Sequence, residues 1–230
     1  MGKTLWQRWT EKPEKPVELQ YFNPCELKIG NSVTVDVLDY RQYHFTVNQI
    51  REYKRYELPD GAPFTDYVLL AKPVDKEDVW VRLRVFPKTD RMPPFQAVLL
   101  SLYFECANED SPDSAWVALD KTVRDKTGKL QDLEDGKVVG EYWRPTDANG
   151  NQILREYNAS VNIIQASANG KVEKSGVQQQ SLEYWDYSRI VKDEANQKLE
   201  EFLFVEMDKD NGWFQLWRGA EVDSRNIVPM

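Results

Sequence analysis

Few residues in this sequence have a type and spacing suited to chemistry. Its 230 residues include a single histidine, His44, and two cysteines, Cys25 and Cys106. One histidine excludes every site that needs two, and no GxSxG motif supplies a nucleophile for it. His44 lies in an alternating segment, which favours a structural or surface role. The cysteines have neither metal-like nor redox-like spacing, so we expect reduced thiols.

Two acidic patterns complete the list of candidates. The run Asp208–Gly212 partly matches a calcium-binding loop, but its glycine is one position too early, so we predict a hairpin turn. Glu52 and Glu183 lie beside aromatic residues, and two carboxylates are all that a glycosidase needs. A carbohydrate-binding module or carboxylate glycosidase is therefore the alternative function. We predict no catalytic residue, no metal site and no cofactor.

The composition limits the classes of protein that this chain can belong to. Its 30 Lys and Arg against 38 Asp and Glu give a net charge of -8, which argues against a nucleic-acid partner. A charged fraction of 30% excludes a membrane-embedded protein, and a hydrophobic fraction of 41% excludes a wholly disordered one. Residues 1–16 contain no apolar run of signal-peptide length, which predicts a cytoplasmic protein.

Alternating apolar and polar residues dominate the sequence and predict β-strands. The pattern is clearest in Leu27–Leu38, Tyr43–Ile50 and Val79–Phe86. Lys192–Phe202 is the best helix candidate but fits a hairpin loop entering a strand equally well. Turn signals separate the strands at Asp60-Gly61, Asp135-Gly136, Asn149-Gly150, Asn169-Gly170 and Asn211-Gly212. We predict a mainly β, antiparallel chain with little helix.

An internal repeat is the most specific pattern in the sequence. Arg51–Arg84 and Leu182–Trp217 share a Glu-Tyr-x-x-Tyr element, an apolar strand, an acidic turn and a strand that opens with tryptophan. We interpret each copy as a three-stranded antiparallel meander. A fainter third copy runs from Val98 through an acidic stretch to a predicted strand at Trp116.

The repeat also suggests how the chain is organised. A single meander cannot bury both of its faces, so two copies must pack together as a sandwich or barrel-like pair of related lobes. We place the lobes at residues 21–121 and 177–230, with a connector and extra hairpin at 122–176 and a tail at 1–20.

The last repeat is crowded with aromatic residues. Tyr184, Trp185, Trp213 and Trp217 fall within it, and strand alternation gives both faces of its final strand bulky side chains. One face can form the core, and the other is either covered by the second lobe or offered to a partner. On the second alternative, these four residues form a binding surface for a basic or amphipathic protein, or for self-association.

The segment Glu200–Val222 (EEFLFVEMDKDNGWFQLWRGAEV) resembles the repeated tryptophan-containing hairpin of a bacterial family of domains of unknown function. The resemblance transfers no activity and no catalytic residue. It implies an accessory role in membrane-stress and membrane-remodelling systems, and hence a non-enzymatic binding or scaffold protein. Trp6 and Trp9 in the tail could then dock at a membrane surface or on a partner, or fold back onto the chain.

Overall fold

The computed structural model describes residues 23–37, 40–55, 64–87, 95–109, 111–134, 137–145, 157–165, 178–192, 196 and 198–230. Within these residues the chain forms twelve strands, the helix α1 (Ala115–Val123) and two short 3-10 helices, Pro24–Glu26 and Ser224–Asn226. The strands are β1 (Ser32–Val35), β2 (His44–Arg55), β3 (Phe64–Ala71), β4 (Val79–Pro87), β5 (Phe95–Ala107), β6 (Lys129–Glu134), β7 (Lys137–Trp143), β8 (Tyr157–Gln165), β9 (Gln178–Lys192), β10 (Lys198–Asp208), β11 (Trp213–Val222) and β12 (Ile227–Pro229).

Eight of these strands close into an antiparallel barrel. The order around it is β2, β3, β4, β5, β11, β10, β9 and β8, and β8 pairs with β2 to complete the circle. Every one of these pairings is antiparallel. The structure therefore confirms the mainly β, barrel-like class predicted from alternation.

Two strands of the barrel are long enough to carry further strands outside it. The start of β2 pairs with β1, which in turn pairs with β12, while the rest of β2 pairs with β8. On β9 the first half pairs with β8, and Ser188 in the second half pairs with Trp143 of β7. The hairpin β6–β7 thus leaves the barrel wall and, with α1, covers part of its outer surface.

Alternation along the strands sorts side chains between the barrel interior and two outer clusters. On β4, Val81, Leu83 and Val85 pack outward with residues of β1 and β12, whereas Arg82 and Arg84 point inward. On β10, Leu203 and Val205 pack outward against a second cluster that contains residues of α1, β6 and β7. Each outer cluster is closed by elements that are not part of the barrel.

Both predicted meanders are present. Strands β2, β3 and β4 pair in succession, and so do β9, β10 and β11. The two predicted lobes are nevertheless joined strand to strand, because β5 pairs with β11 and β8 bridges β2 and β9. Their strands form one closed wall.

The predicted strand at Trp116 is wrong, because Trp116 lies in α1. Ser114 caps this helix, its side chain accepting a hydrogen bond from the backbone N–H of Val117 at 3.3 Å. Trp116, Leu119 and Val123 are spaced three and four residues apart, so they share the helix face that packs on the second outer cluster.

The hairpin predicted at Asn211-Gly212 is confirmed. It joins β10 to β11, and Gly212 adopts a φ of 68°, which favours glycine. Lys192–Phe202 is not helical where it is described: β9 ends at Lys192 and β10 begins at Lys198. The tail with Trp6 and Trp9 lies outside the described residues, as do the turns predicted at Asp60-Gly61, Asp135-Gly136, Asn149-Gly150 and Asn169-Gly170.

Candidate functional site

The four aromatic residues predicted as a binding surface lie in different parts of the interior. Trp185 packs in the outer cluster beneath α1, whereas Tyr184 and Trp213 pack inside the barrel near β8. Trp217 lies inside the barrel against β5 and β10. Tyr184, Trp185 and Trp217 are buried and Trp213 is half-buried, so the chain itself covers them. A docking role for these residues stays a prediction.

A network of buried charges fills the barrel beside these aromatic residues. Arg84 donates to Asp66 at 2.8 Å and to Glu206 at 2.8 Å, and Arg82 donates to the other oxygen of Glu206 at 2.7 Å. The hydroxyl of Tyr53 donates to Glu206 at 3.1 Å. Because Arg82 and Glu206 are on strands that do not pair, these bonds span the interior and join opposite walls.

Aromatic rings hold the two guanidinium groups in place. Arg82 lies 3.6 Å from the ring centre of Trp217, and Arg84 lies 4.3 Å from the rings of both Phe64 and Phe204. Burial by itself would raise the pKa of Glu206, but the nearby arginines outweigh it and lower this pKa to about 2. The interior is therefore occupied by charged side chains that pair with one another and pack against aromatic rings.

A second polar cluster fastens the β6–β7 hairpin to the outside of the barrel. Arg189 of β9 bridges Asp132 of β6 and Glu201 of β10, at 2.7 Å from each. The hydroxyl of Tyr103 on β5 also donates to Asp132 at 2.8 Å. Asp132 is buried, so these bonds offset its desolvation and fix the position of β6. A pocket of about 390 Å³ lies beside this cluster.

An open groove of about 1060 Å³ lies between α1 and β6 and is the candidate functional site. The helix and the hairpin share a buried cluster that contains Val123 and Leu130, and the groove opens beside it. Its lining residues come from β5, α1 with the loop after it, β6, β7 and β11: Tyr103, Phe104, Ala115, Ala118, Leu119, Lys121, Thr122, Asp125, Thr127, Lys129, Leu130, Gln131, Glu141 and Leu216. Phe104 is 39% exposed there.

The charged residues of the groove balance one another. The ammonium of Lys129 lies 3.3 Å from the carboxylate of Glu141. A hydrogen bond from Thr127, together with backbone N–H groups and the charge of Lys121, lowers the pKa of Asp125. Two cations and two anions thus line the groove, and its remaining lining is apolar or neutral.

The structure does not bring the other sequence candidates together. His44 is exposed at the start of β2. Glu52 and Glu183 lie on strands that β8 separates, and Glu183 is held by Arg124 at 2.5 Å and Lys209 at 2.6 Å. Among the residues that the structure describes, no three His, Cys, Asp or Glu side chains are grouped so that they could hold a metal ion.

Comparison with known proteins gave no match: no family model, no curated protein and no solved structure is similar to this chain. In the described part of the chain, no helix has the length and apolarity needed to cross a membrane.

Sequence reasoning missed the groove because it assigned Trp116 to a strand. The signal was nevertheless present in the helical spacing of Ala115, Ala118 or Leu119, and Thr122, which places them on one face. The serine cap at Ser114 marks where that helix begins.

Proposed function

We propose that this chain is a protein-binding module and that the groove between α1 and β6 is its binding site. The observation that carries this proposal is an open, largely apolar groove on an otherwise well-packed barrel, with Phe104 partly exposed within it. Contiguous apolar surface that a folded chain leaves open is characteristic of interaction sites. Its polar lining residues can orient a partner at the rim.

The size of the groove favours a segment of another protein as the occupant. Sites for small molecules usually enclose about 300–1,000 Å³ and bury most of the ligand. This groove, of about 1060 Å³, lies just above that range and is open to solvent, which suits a segment of another chain.

A cytoplasmic location is part of the proposal. Cys25 and Cys106 are both free thiols, and compartments that oxidise thiols usually pair them. A membrane-associated bacterial assembly is the proposed setting, supported by the resemblance of Glu200–Val222 to hairpins of accessory proteins.

The proposal is tested by filling the groove. Ala118 is exposed on α1 and lines the groove, so the variant Ala118→Trp places a large ring in it while leaving the helix face that packs on the barrel intact. A library of displayed twelve-residue peptides is selected on the full wild-type chain. We expect the selected peptides, once synthesised, to bind Ala118→Trp at least tenfold more weakly by calorimetry.

Val74→Trp is the matched control, because Val74 is 86% exposed in the turn between β3 and β4, away from the groove. It should bind the same peptides as the wild type does. Equal affinity of the peptides for Ala118→Trp and the wild type would contradict the proposal, as would failure to select any peptide.

A further inference from the structure

Among the described strands, β6 is an end strand of the sheet and therefore has one edge without a partner strand. It pairs with β7 on one side and, within the described residues, is the last strand in the sheet order. The opposite end strand, β12, has three residues and ends in proline, which cannot donate a backbone hydrogen bond. β6 has six residues and no proline or glycine, so it retains its backbone donors along its whole length.

The register of the β6–β7 ladder shows which backbone groups of β6 point away from β7. The N–H of Arg144 donates to the carbonyl of Gly128 at 2.9 Å, so these two residues form a hydrogen-bonded pair. In an antiparallel ladder, hydrogen-bonded pairs of residues alternate with pairs that are not hydrogen-bonded to each other. The pairs Lys129–Trp143 and Gln131–Glu141 are therefore of the second kind. The N–H and carbonyl groups of Lys129 and Gln131 therefore point outward from the edge.

The groove lies along this outward edge. Lys129, Leu130 and Gln131 are consecutive strand residues, and all three line the groove. Successive side chains of a strand point to opposite faces of the sheet, so a cavity that touches three in a row must run beside the strand. Within the described residues no strand pairs with this edge of β6, and the apolar wall formed by Phe104 and Leu119 faces the same space as the edge.

We propose that the groove binds an extended segment of a partner protein, which adds as a strand to the free edge of β6. This inference rests on the proposed function and specifies how the partner is held. Backbone hydrogen bonds to Lys129 and Gln131 supply register, and side chains at alternate positions of the segment pack on β5 and α1.

Charge complementarity identifies the chemistry of that segment. The charges that line the groove sum to zero, because Lys129 pairs with Glu141 at 3.3 Å and the charge of Lys121 acts on Asp125, so the groove offers no net charge to attract a charged segment. The segment is thus uncharged over the four to six residues that β6 can pair with, and it carries apolar residues at every second position.

A single position of β6 offers a sharp test. Gln131→Pro removes the outward N–H and places the proline ring on the free edge, yet it breaks no bond to β7. Gln131→Ala keeps the N–H and removes the side chain, which is exposed. We expect the peptides selected on the full wild-type chain to alternate apolar and neutral residues. Their affinity should fall at least tenfold further with Gln131→Pro than with Gln131→Ala, because the two variants both lose the side chain and only the proline variant loses the N–H.

A second measurement uses the wild-type chain, so the test holds even if Gln131→Pro does not fold. N-methylation of the peptide at every second residue on the edge-facing side should abolish binding, whereas N-methylation at the intervening residues should not. Two results would overturn strand addition and leave the proposed function intact. One is that the peptides bind in the groove but have apolar residues at helical spacing. The other is that they still bind after either pattern of N-methylation. A concentration-dependent dimer of the peptide-free chain that Gln131→Pro abolishes would overturn it in favour of a second copy.

Discussion

Arg82 and Arg84 show how this barrel tolerates charge in its interior. Each guanidinium is packed against aromatic rings and bonded to a carboxylate, with Arg84 sharing its donors between Asp66 and Glu206. A guanidinium group fits such a site because it is planar, stacks on aromatic rings and can donate hydrogen bonds to two carboxylates. The ammonium group of lysine lacks this geometry and would not replace it. Removing one partner leaves the others charged and buried, which costs far more than the pair itself contributes.

Glu206 should make stability depend on pH. Its pKa falls from an ordinary 4.5 to about 2 on folding, so the unfolded chain takes up a proton first as the pH is lowered. The free energy of unfolding should therefore decrease by about 3 kcal/mol in total as the pH falls from about 5 to below 2. Urea unfolding between pH 7 and 3 measures the upper part of this decrease.

Glu206→Gln should be less stable at pH 7 by about 3–5 kcal/mol and should lose part of that pH dependence, because it cannot titrate. Glu52→Gln, at an exposed position on the outer wall, is the matched control and should follow the wild-type curve. A Glu206→Gln curve parallel to the wild-type curve would show that Glu206 is not the titrating group.

At the scale of the elements, the joint between β5 and β11 holds the two meanders together. Its register shifts between Leu216 and Trp217, and Gly219 then passes very close to Leu99. A Cβ atom on Gly219 would lie 1.8 Å from the carbonyl oxygen of Leu99, which belongs to the backbone and cannot rotate away. Glycine is required here for the approach of two strands.

Gly219→Ala should therefore force the two strands apart and cost more than about 3 kcal/mol of unfolding free energy, measured by urea denaturation. Gly30→Ala is the comparison: its Cβ would meet nothing within 4 Å, so only its φ of 85° is strained. That strain costs about 1 kcal/mol. Similar losses for the two variants would show that the joint is not tightly packed at Gly219.

How far the sequence predicts these elements depends on what each element contacts. β4 alternates cleanly because one face packs on β1 and β12, so the sequence pattern predicts both the strand and its apolar face. The sequence pattern does not predict the free edge of β6, because strand pairing depends on residues far along the chain. Nor does the sequence assign the inward Arg82 and Arg84, since alternation predicts charged residues on the solvent side and their burial depends on Asp66 of β3 and Glu206 of β10. At Trp116 the repeat predicts a strand, but the Ser114 cap begins a helix there.

At the scale of the whole molecule, the barrel makes the two halves of the chain depend on each other. Residues 1–150 contain β1 to β7, and residues 151–230 contain β8 to β12. Separating them would expose the edges of β2, β5, β8 and β11 in the barrel, and each half would keep only part of the barrel interior. Neither half retains a closed core.

We therefore expect the fragments 1–150 and 151–230 to be unfolded when expressed separately, as judged by far-ultraviolet circular dichroism and by the absence of a urea transition. The intact chain should unfold in one step, with coincident curves from circular dichroism and tryptophan fluorescence. A cooperative transition in either isolated fragment would contradict this expectation and favour independent lobes.

The buried charge network also has a consequence for synthesis on the ribosome. Asp66 and Arg84 are cross-strand neighbours, so they can pair as soon as β3 and β4 have emerged. Glu206 follows Arg82 by 124 residues, which at about 5–20 residues per second is a delay of roughly 6 to 25 s. During that interval two guanidiniums share one carboxylate, and the excess positive charge disfavours burial of this sheet face. The nascent sheet is thereby kept open to water until the strands that close it arrive.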